Sequence, residues 1–239
     1  MSAGEAILNL LFPPKCAFCG TLIDPDAGSG AADGTPPDHP VRPLPGRKND
    51  GLCPACRASL PFTTGNEQLR HVDGFPCAVA LRYEDMVRKG VHALKFHGHP
   101  QRARVFARYV AQAAAEQFPG GFDAVTFVPV SLWRNYWRGC DQARLLAEEC
   151  AKLWGVPALP VLRKIRNNPP QSTVKTPAER RANVLGAYIV PQPQRAMGKR
   201  FLLIDDVVTT GSTTAACARC LMDAGAESVI CAALAGPVR

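Results

Sequence analysis

The chain of 239 residues is 46% hydrophobic and 20% charged, a composition typical of one large or two smaller globular domains. No run of about 18 apolar residues occurs, which excludes a membrane-spanning helix. The first residues lack the basic start of a secretory signal, so we expect a cytoplasmic protein with reduced thiols. The net charge of +8 favours an anionic partner.

Two C-x2-C pairs near the N-terminus, Cys16/Cys19 and Cys53/Cys56, have the spacing with which thiolates converge on one tetrahedral metal ion. Zinc is the expected occupant, in a closed structural site that stabilises a module too short for a large core. Two unrelated redox or surface pairs are the alternative. Five further cysteines have apolar neighbours and are predicted to pack as small apolar residues: Cys77, Cys150, Cys217, Cys220 and Cys231.

Residues 24–51 separate the two cysteine pairs and contain six prolines and five glycines among 28 positions. Such a segment buries too little apolar surface to order itself, so we predict a flexible insertion within a small N-terminal module. The module, residues 1–66, carries a net charge of −1, whereas the second domain, residues 67–239, carries +9. The basic excess therefore belongs to the larger domain.

After about residue 75, apolar runs alternate with amphipathic stretches. In chain order the pattern predicts a strand at 78–83, helices at 87–95 and 102–118, a strand at 124–130, a helix at 141–154, a short strand at 157–162, a strand at 201–208, a helix at 212–224 and a last strand at 228–235. Strands that alternate with helices indicate an α/β fold with a parallel sheet flanked by helices.

The strand at 201–208 delivers two adjacent acids, Asp205 and Asp206, and the loop TTGST then opens a helix. Backbone N–H groups and hydroxyls in such a loop, at a helix N-terminus, form a cradle for a phosphate monoester. The two carboxylates could accept hydrogen bonds from ribose hydroxyls, or hold a divalent cation through water. The alternative is an ordinary helix with Thr210 or Ser212 as its N-cap. Neither a G-x4-G-K-[ST] nor a G-x-G-x-x-G motif is present.

The segment IDDVVTTGST resembles the phosphoribosyl pyrophosphate (PRPP) signature of type I phosphoribosyltransferases. The wider arrangement resembles the ComF family, in which a cysteine-pair zinc module precedes a phosphoribosyltransferase-like domain. Residues 94–98, 128–130 and 138–143 also match this family. The resemblance implies a type I phosphoribosyltransferase-like parallel sheet behind a small zinc-ribbon module with four cysteine ligands. Where the family has Phe-Asn, this chain has Cys140 and Asp141, and an acid that contacted an anionic ligand would weaken that contact.

The resemblance also implies roles for individual residues. Asp205 and Asp206 match the ribose-binding acids and are the implied catalytic pair, with Mg²⁺ accompanying PRPP. The implied 5′-phosphate loop consists of Thr209, Thr210, Gly211, Ser212 and Thr213. The implied pyrophosphate loop contains Val130 and Ser131. Residues 163–184 match a loop that covers the site in relatives, and its basic side chains would neutralise the leaving pyrophosphate: Arg163, Lys164, Arg166, Lys175, Arg180 and Arg181.

Three functions remain open at this point. The first is a phosphoribosyltransferase that uses PRPP and a nitrogen nucleophile. The second is a single-stranded DNA-binding protein that works with the competence machinery in DNA uptake, as the resemblance implies and the basic charge suits. The third is a PRPP-sensing regulator that has kept the site and lost the reaction.

Overall fold

The computed structural model of the chain describes residues 13–23, 50–97, 100–131, 141–166, 184 and 186–237. Seven strands and five α-helices lie in these ranges. The strands are β1 Leu69–Val72, β2 Phe75–Arg82, β3 Ala124–Phe127, β4 Arg163–Lys164, β5 Tyr188–Ile189, β6 Arg200–Val207 and β7 Ser228–Gly236. The helices are α1 Pro54–Ala58, α2 Asp85–His97, α3 Pro100–Gln117, α4 Gln142–Trp154 and α5 Ser212–Asp223.

Five strands form one sheet in the order β1-β2-β7-β6-β3, and β4 pairs with β5 in a separate two-stranded ribbon. β2, β7, β6 and β3 are parallel, whereas β1 runs antiparallel at one edge. Asp73 and Gly74, both at positive φ, form the tight turn between β1 and β2 that Asp-Gly sequences favour. Because the other four strands point the same way, their carboxyl ends meet at one edge of the sheet.

Helices cover both faces of the sheet. Buried side chains of α3 and α4 share one hydrophobic core with Leu202 and Ile204 of β6. The alternate β6 residues Phe201 and Leu203 belong to a second core with α5. Burial on both faces explains why the strand sequences are continuous apolar runs. The α/β fold predicted from the sequence is therefore confirmed.

The cysteine loops belong to the first of these cores. The ring of Phe18, which lies in the first cysteine pair, packs 4.9 Å from the ring of Phe106 and 6.4 Å from that of Tyr109 in α3. Gly90 of α2 permits this approach, because a Cβ at that position would lie 2.9 Å from Phe18 Cδ1. The two cysteine pairs thus pack directly against the helices that cover the sheet.

One predicted strand is wrong. Residues 157–162 make a single parallel bridge, between Ala158 and Val125, and no ladder. The physical reason is that Pro157 lacks the N–H that would continue the ladder on one side of the bridge, while on the other side the N–H of Val161 bonds to the Leu159 carbonyl instead of to β3.

The remaining predicted strands and helices are present, with small differences in their bounds. β3 ends at Phe127, three residues earlier than predicted. The short strands β1, β4 and β5 were not predicted. The expected flexible insertion lies outside the described residues except for its last two positions. None of the described helices is long and apolar enough to cross a membrane.

We expect Gly90→Ala to lower the free energy of unfolding, because the added methyl group overlaps the Phe18 ring in a packed core, which costs about 1–3 kcal/mol. Since alanine gains about 1 kcal/mol over glycine in a helix interior, the expected net loss of stability is up to about 2 kcal/mol. Gly120→Ala is the matched control, since nothing lies within 4 Å of a Cβ built there. Urea denaturation measures both variants, and a Gly90→Ala protein as stable as the wild type would contradict the packing described.

Candidate functional site

β6 reaches the carboxyl edge of the sheet with two adjacent acids. Asp205 is buried, and its Oδ2 accepts a hydrogen bond of 2.9 Å from the Thr214 hydroxyl of α5. Its Oδ1 accepts the N–H of Asp206 at 2.9 Å. Asp206 is partly exposed, and its Oδ1 accepts the N–H of Val207 at 2.8 Å. One acid is therefore anchored in the protein, and the other is accessible to a ligand.

The environment of Asp205 disfavours its charge. Burial raises the pKa of the Asp205 carboxyl well above its ordinary range, and the neighbouring charge of Asp206 raises it further. The hydrogen bond from Thr214 opposes this shift without cancelling it. Strongly shifted carboxyl groups of this kind are concentrated at functional sites.

The loop after β6 turns the chain directly into α5. The Thr210 hydroxyl lies 3.0 Å from the Ser212 hydroxyl. Gly211 has φ +77°, and a Cβ there would lie 2.2 Å from Cγ1 of Val72 in β1, so glycine is required at this position. Gly211 is the N-cap of α5 and supplies no capping side chain, which differs from the alternative with Thr210 or Ser212 as N-cap.

The amino end of α5 consequently directs its first N–H groups into the predicted phosphate loop. Of the hydroxyl residues there, Thr209 is exposed, Thr210 and Thr213 are partly exposed, and Ser212 is buried. The partial positive charge at a helix N-terminus attracts anions. The arrangement can therefore bind a phosphate group through backbone donors and hydroxyls together.

A second loop follows β3, the strand that pairs with β6. Val130 in this loop donates its N–H to Oδ2 of Asp141 at 3.2 Å. Asp141 is also the N-cap of α4, where its Oδ1 accepts the N–H of Arg144 at 3.2 Å. Burial raises the pKa of Asp141 and the charge of Asp206 raises it too, while the two backbone hydrogen bonds oppose the shift. The Val130 loop and the β6 acids thus lie in one polar cluster that includes Asp141.

The predicted covering loop begins in the β4–β5 ribbon rather than in irregular chain. Arg163 pairs with Ile189 and Lys164 with Tyr188, and the Lys164 ammonium lies 5.3 Å from the centroid of the Tyr188 ring. Arg166 lies two residues after the end of β4. The other three basic residues lie outside the described residues: Lys175, Arg180 and Arg181.

Two contacts at this site were not predicted from the sequence. Asp141 links the Val130 loop to α4, and Val72 of β1 packs on Gly211. The helix predicted at 141–154 starts at this residue, and an aspartate before an amphipathic run is the matching N-cap signal, but no local signal links Asp141 to Val130. No comparable signal marks β1, which has only four residues.

The four cysteines of the two N-terminal pairs come together in space. Their Sγ atoms all lie within 4.8 Å of one another, and those of Cys19 and Cys53 are 3.7 Å apart. A tetrahedral zinc ion with bonds of about 2.3 Å separates its sulfur ligands by roughly 3.8 Å. The Cys53 sulfur also accepts the N–H of Cys56 at the start of α1. The predicted Cys16/Cys19/Cys53/Cys56 cluster is therefore confirmed as a set that can hold a structural metal ion such as zinc.

The surroundings of this cluster suit a cation. Burial, together with hydrogen bonds from Cys19 and Cys53, raises the pKa of Cys56, and burial also raises that of Cys16. Burial acts the same way on Cys19, but hydrogen bonds with Thr21, Cys16 and Cys53 outweigh it and lower the pKa of Cys19 to about 6. Arg102 of α3 lies beside the cluster, and burial lowers its pKa while the charges of Cys16 and Cys19 oppose that shift. Its Nη1 is buried and has no hydrogen-bond partner within the described part of the chain. Four thiolates around a divalent ion carry excess negative charge, which this guanidinium would offset.

The other described cysteines pack as predicted. Cys220 is partly buried, and the remaining four are buried: Cys77, Cys150, Cys217 and Cys231. Burial raises the pKa of each of these five thiols. These positions are therefore apolar packing sites with little thiolate character.

Comparisons with known proteins agree with this architecture. A family profile described as a phosphoribosyl transferase domain matches residues 141–237. The DNA utilization protein YhgH of Salmonella typhimurium is 32% identical over 191 residues, which cover 77% of this chain and 83% of that protein. The competence protein ComFC of Bacillus subtilis is 30% identical over 144 residues, which cover 60% of this chain and 56% of that protein.

A solved structure with partial similarity is the glutamine PRPP amidotransferase of Bacillus subtilis. It superimposes with a TM-score of 0.41 at 20% identity and covers 60% of this chain and 30% of its own. The chain thus spans most of the Salmonella relative and little more than half of the Bacillus competence protein.

We expect Cys53→Ser to lower the free energy of unfolding by more than the ~1 kcal/mol of an average substitution. The change removes one of four thiolate ligands, and binding of a structural metal contributes to the free energy of folding. A zinc-specific chelator should lower the Tm of the wild type and leave that of Cys53→Ser unchanged. Cys220→Ser is the control, since its sulfur only donates to the Tyr188 carbonyl and a hydroxyl can do the same. A wild type that contains no metal and ignores the chelator would rule out the structural metal.

The raised pKa of Asp205 predicts a pH-dependent stability. The folded state holds this proton more tightly than the unfolded chain, so the contribution of the carboxyl is full below 3.8 and is lost as the pH rises through the folded pKa. Asp205→Asn cannot ionise and should therefore gain stability relative to the wild type between about pH 5.5 and pH 8.5. Chemical denaturation at both pH values checks this, with Asp223→Asn at the exposed end of α5 as control. A stability difference that stays constant with pH would count against the shift.

Proposed function

The chain belongs to the ComF family, and from this premise we propose that it binds PRPP at the carboxyl edge of its sheet, as a phosphoribosyltransferase-like protein of DNA utilisation. The observation that carries the proposal is the junction between β6 and α5. There a buried acid, an accessible acid and a glycine-dependent hydroxyl loop succeed one another within nine residues. No other described segment combines carboxylates for a sugar with donors for its phosphate.

In the proposed complex the 5′-phosphate of PRPP occupies the loop of residues 209–213 and accepts hydrogen bonds from the first turn of α5. Asp206 accepts hydrogen bonds from the ribose hydroxyls. Asp205 holds Asp206 in position by accepting the Asp206 N–H. The pyrophosphate group then extends toward Val130 and Ser131, in the loop after β3. Two adjacent parallel strands would thus bind the two ends of one ligand.

The reaction open to such a complex is transfer of the phosphoribosyl group to a nitrogen nucleophile. Breakage of the bond between C1′ and pyrophosphate develops positive charge on the sugar, which carboxylates stabilise, and negative charge on the leaving group. Basic side chains of the covering segment, among them Arg163, Lys164 and Arg166, would neutralise the leaving group. A protein that binds PRPP without this transfer would act as a sensor of the metabolite.

Two metal ions are part of the proposal. Zinc in the Cys16/Cys19/Cys53/Cys56 site would tie the module of residues 1–66 to the domain of residues 67–239. Mg²⁺ would arrive with PRPP, where oxygen ligands such as the Asp206 carboxylate suit it, and would supply charge neutralisation of the pyrophosphate. The reduced thiols of such a zinc site also fit a cytoplasmic location.

A second candidate, binding of single-stranded DNA, is favoured by the names of the relatives. The positive net charge of residues 67–239 also suits it. Eight basic side chains are held in ion pairs with acids: Arg57, Arg82, Arg88, Arg104, Arg144, Lys152, Arg200 and Arg219. The net charge already counts these acids, so a phosphate backbone would contact mainly the other basic side chains.

Calorimetric titration of PRPP with Mg²⁺ tests the proposal. We expect the wild type to bind and Asp206→Asn to bind at least about tenfold more weakly, because hydrogen bonds to charged groups contribute about 1.5–3 kcal/mol. Asp223→Asn, an exposed acid at the far end of α5, should bind like the wild type. Equal affinity of Asp206→Asn and wild type would overturn the ribose contact.

The same titration with a single-stranded oligonucleotide separates the two candidates. Competition between oligonucleotide and PRPP would indicate that both bind at one shared anion-binding site. Oligonucleotide binding without PRPP binding would favour the DNA-binding function. DNA binding dominated by phosphate contacts should weaken steeply between about 50 and 200 mM salt. Release of pyrophosphate on addition of nucleobases or amines would identify the transferase.

A further inference from the structure

Asp141 joins the loop after β3 to the first turn of α4. One carboxylate oxygen accepts the N–H of Val130 and the other accepts the N–H of Arg144, each at 3.2 Å. The side chain is thus bound by two backbone donors from two different elements. Its backbone lies in the extended region that an N-cap requires, so the bridge needs no distortion of the chain.

The two donors that Asp141 uses are of the kind that bind phosphates. A backbone N–H after a parallel strand and the amino end of a helix of 13 residues converge on this carboxylate. In the proposed PRPP complex the Val130 loop is the part that faces pyrophosphate. The Asp141 carboxylate therefore occupies the Val130 N–H, a donor that the incoming pyrophosphate would use.

The charges around this carboxylate are also unfavourable to a further anion. Asp206 faces it from β6, and its charge raises the pKa of Asp141 in addition to burial. Arg144 faces it from α4, and the guanidinium of Arg144 is engaged by Glu148 at 2.7 Å. A pyrophosphate group without a cation would thus meet two carboxylates here, and the arginine beside them is already paired. The basic side chains proposed to neutralise the leaving group belong to β4 and the chain after it, not to this loop or to α4.

We propose that Asp141 is a specificity-determining residue of the site: its carboxylate on the Val130 loop excludes metal-free pyrophosphate and admits pyrophosphate as a complex with a divalent cation. This inference rests on the proposed function. A divalent cation reverses the repulsion because carboxylate and pyrophosphate oxygens are both ligands that Mg²⁺ prefers. Asp141 thereby selects the charge state of the ligand, a task separate from that of the β6 acids.

Asp141→Asn tests the proposal with inorganic pyrophosphate as the probe. Asparagine is as good an N-cap as aspartate and keeps a carbonyl oxygen for one backbone N–H, so the change removes charge with little effect on α4. In magnesium-free buffer without chelator, which leaves a structural metal in place, we expect the variant to bind pyrophosphate at least about tenfold more tightly than the wild type. With Mg²⁺ in excess the two affinities should differ by less than about threefold.

Asp141→Ser, which also caps and is uncharged, is the second variant and should give the same result if Asp141→Asn folds poorly. Asp223→Asn is the matched control, because it makes the same change of charge at an exposed position at the far end of α5. Equal affinity of wild type and both Asp141 variants for metal-free pyrophosphate would overturn the proposal.

Ribose 5-phosphate separates this inference from the function on which it rests. If the wild type binds ribose 5-phosphate and PRPP with Mg²⁺, but the Asp141 variants show no change with metal-free pyrophosphate, only the role of Asp141 fails. If the wild type binds neither ribose 5-phosphate nor PRPP under any condition, the proposed function itself fails and this inference falls with it.

Discussion

β6 is hydrogen-bonded on both sides, to β3 and to β7, and this double pairing fixes the point at which the chain leaves the sheet. A strand in that position can carry only apolar side chains until it reaches the edge, where Asp205 and Asp206 are the first polar residues after Arg200. Because β3 runs parallel to β6 and in register with it, the Val130 loop, which follows β3, must begin beside these acids. The polar cluster is thus a consequence of strand pairing more than of any contact between its own side chains.

The same constraint explains why an energetically costly acid is tolerated. Asp205 is on the same face of β6 as Phe201 and Leu203, the face that packs on the core shared with α5. Thr214 donates the hydrogen bond that keeps it there, and the rigid start of α5 keeps Thr214 in place. Local destabilisation by one carboxyl is small against a sheet whose four parallel strands are buried on both faces.

The cysteine cluster contributes to the core as well as to its own module. Phe18 projects from the first cysteine pair into the packing between α2 and α3, and Arg102 of α3 lies close to the same pair. An apolar and a charged contact therefore anchor one short loop. The interface is specific because the ring requires a glycine at position 90 and the guanidinium requires excess negative charge.

Much of this structure could be predicted from sequence, and the exceptions have physical causes. Long apolar strands such as β6 and β7 and the amphipathic helices α3 and α4 are visible because their periodicity extends over several turns or residues. The four-residue β1 and the two-residue β4 and β5 depend on partners distant in the chain, which no local pattern reveals. The β6 acids were identified from chain-adjacent residues, whereas the bond between Asp141 and Val130 spans a separation of 11 residues and depends on how α4 packs.

Residues 157–162, which form no strand, cover part of the outer edge of β3. Val125 donates its outward N–H to the Pro157 carbonyl at 3.0 Å, and its carbonyl accepts the N–H of Leu159 at 2.8 Å. These bonds occupy the outer edge of β3, and Pro160 offers no N–H with which another strand could extend the ladder. Exposed sheet edges are templates for association between molecules. These bonds, together with Pro160, therefore protect the protein from growing its sheet into a neighbouring copy.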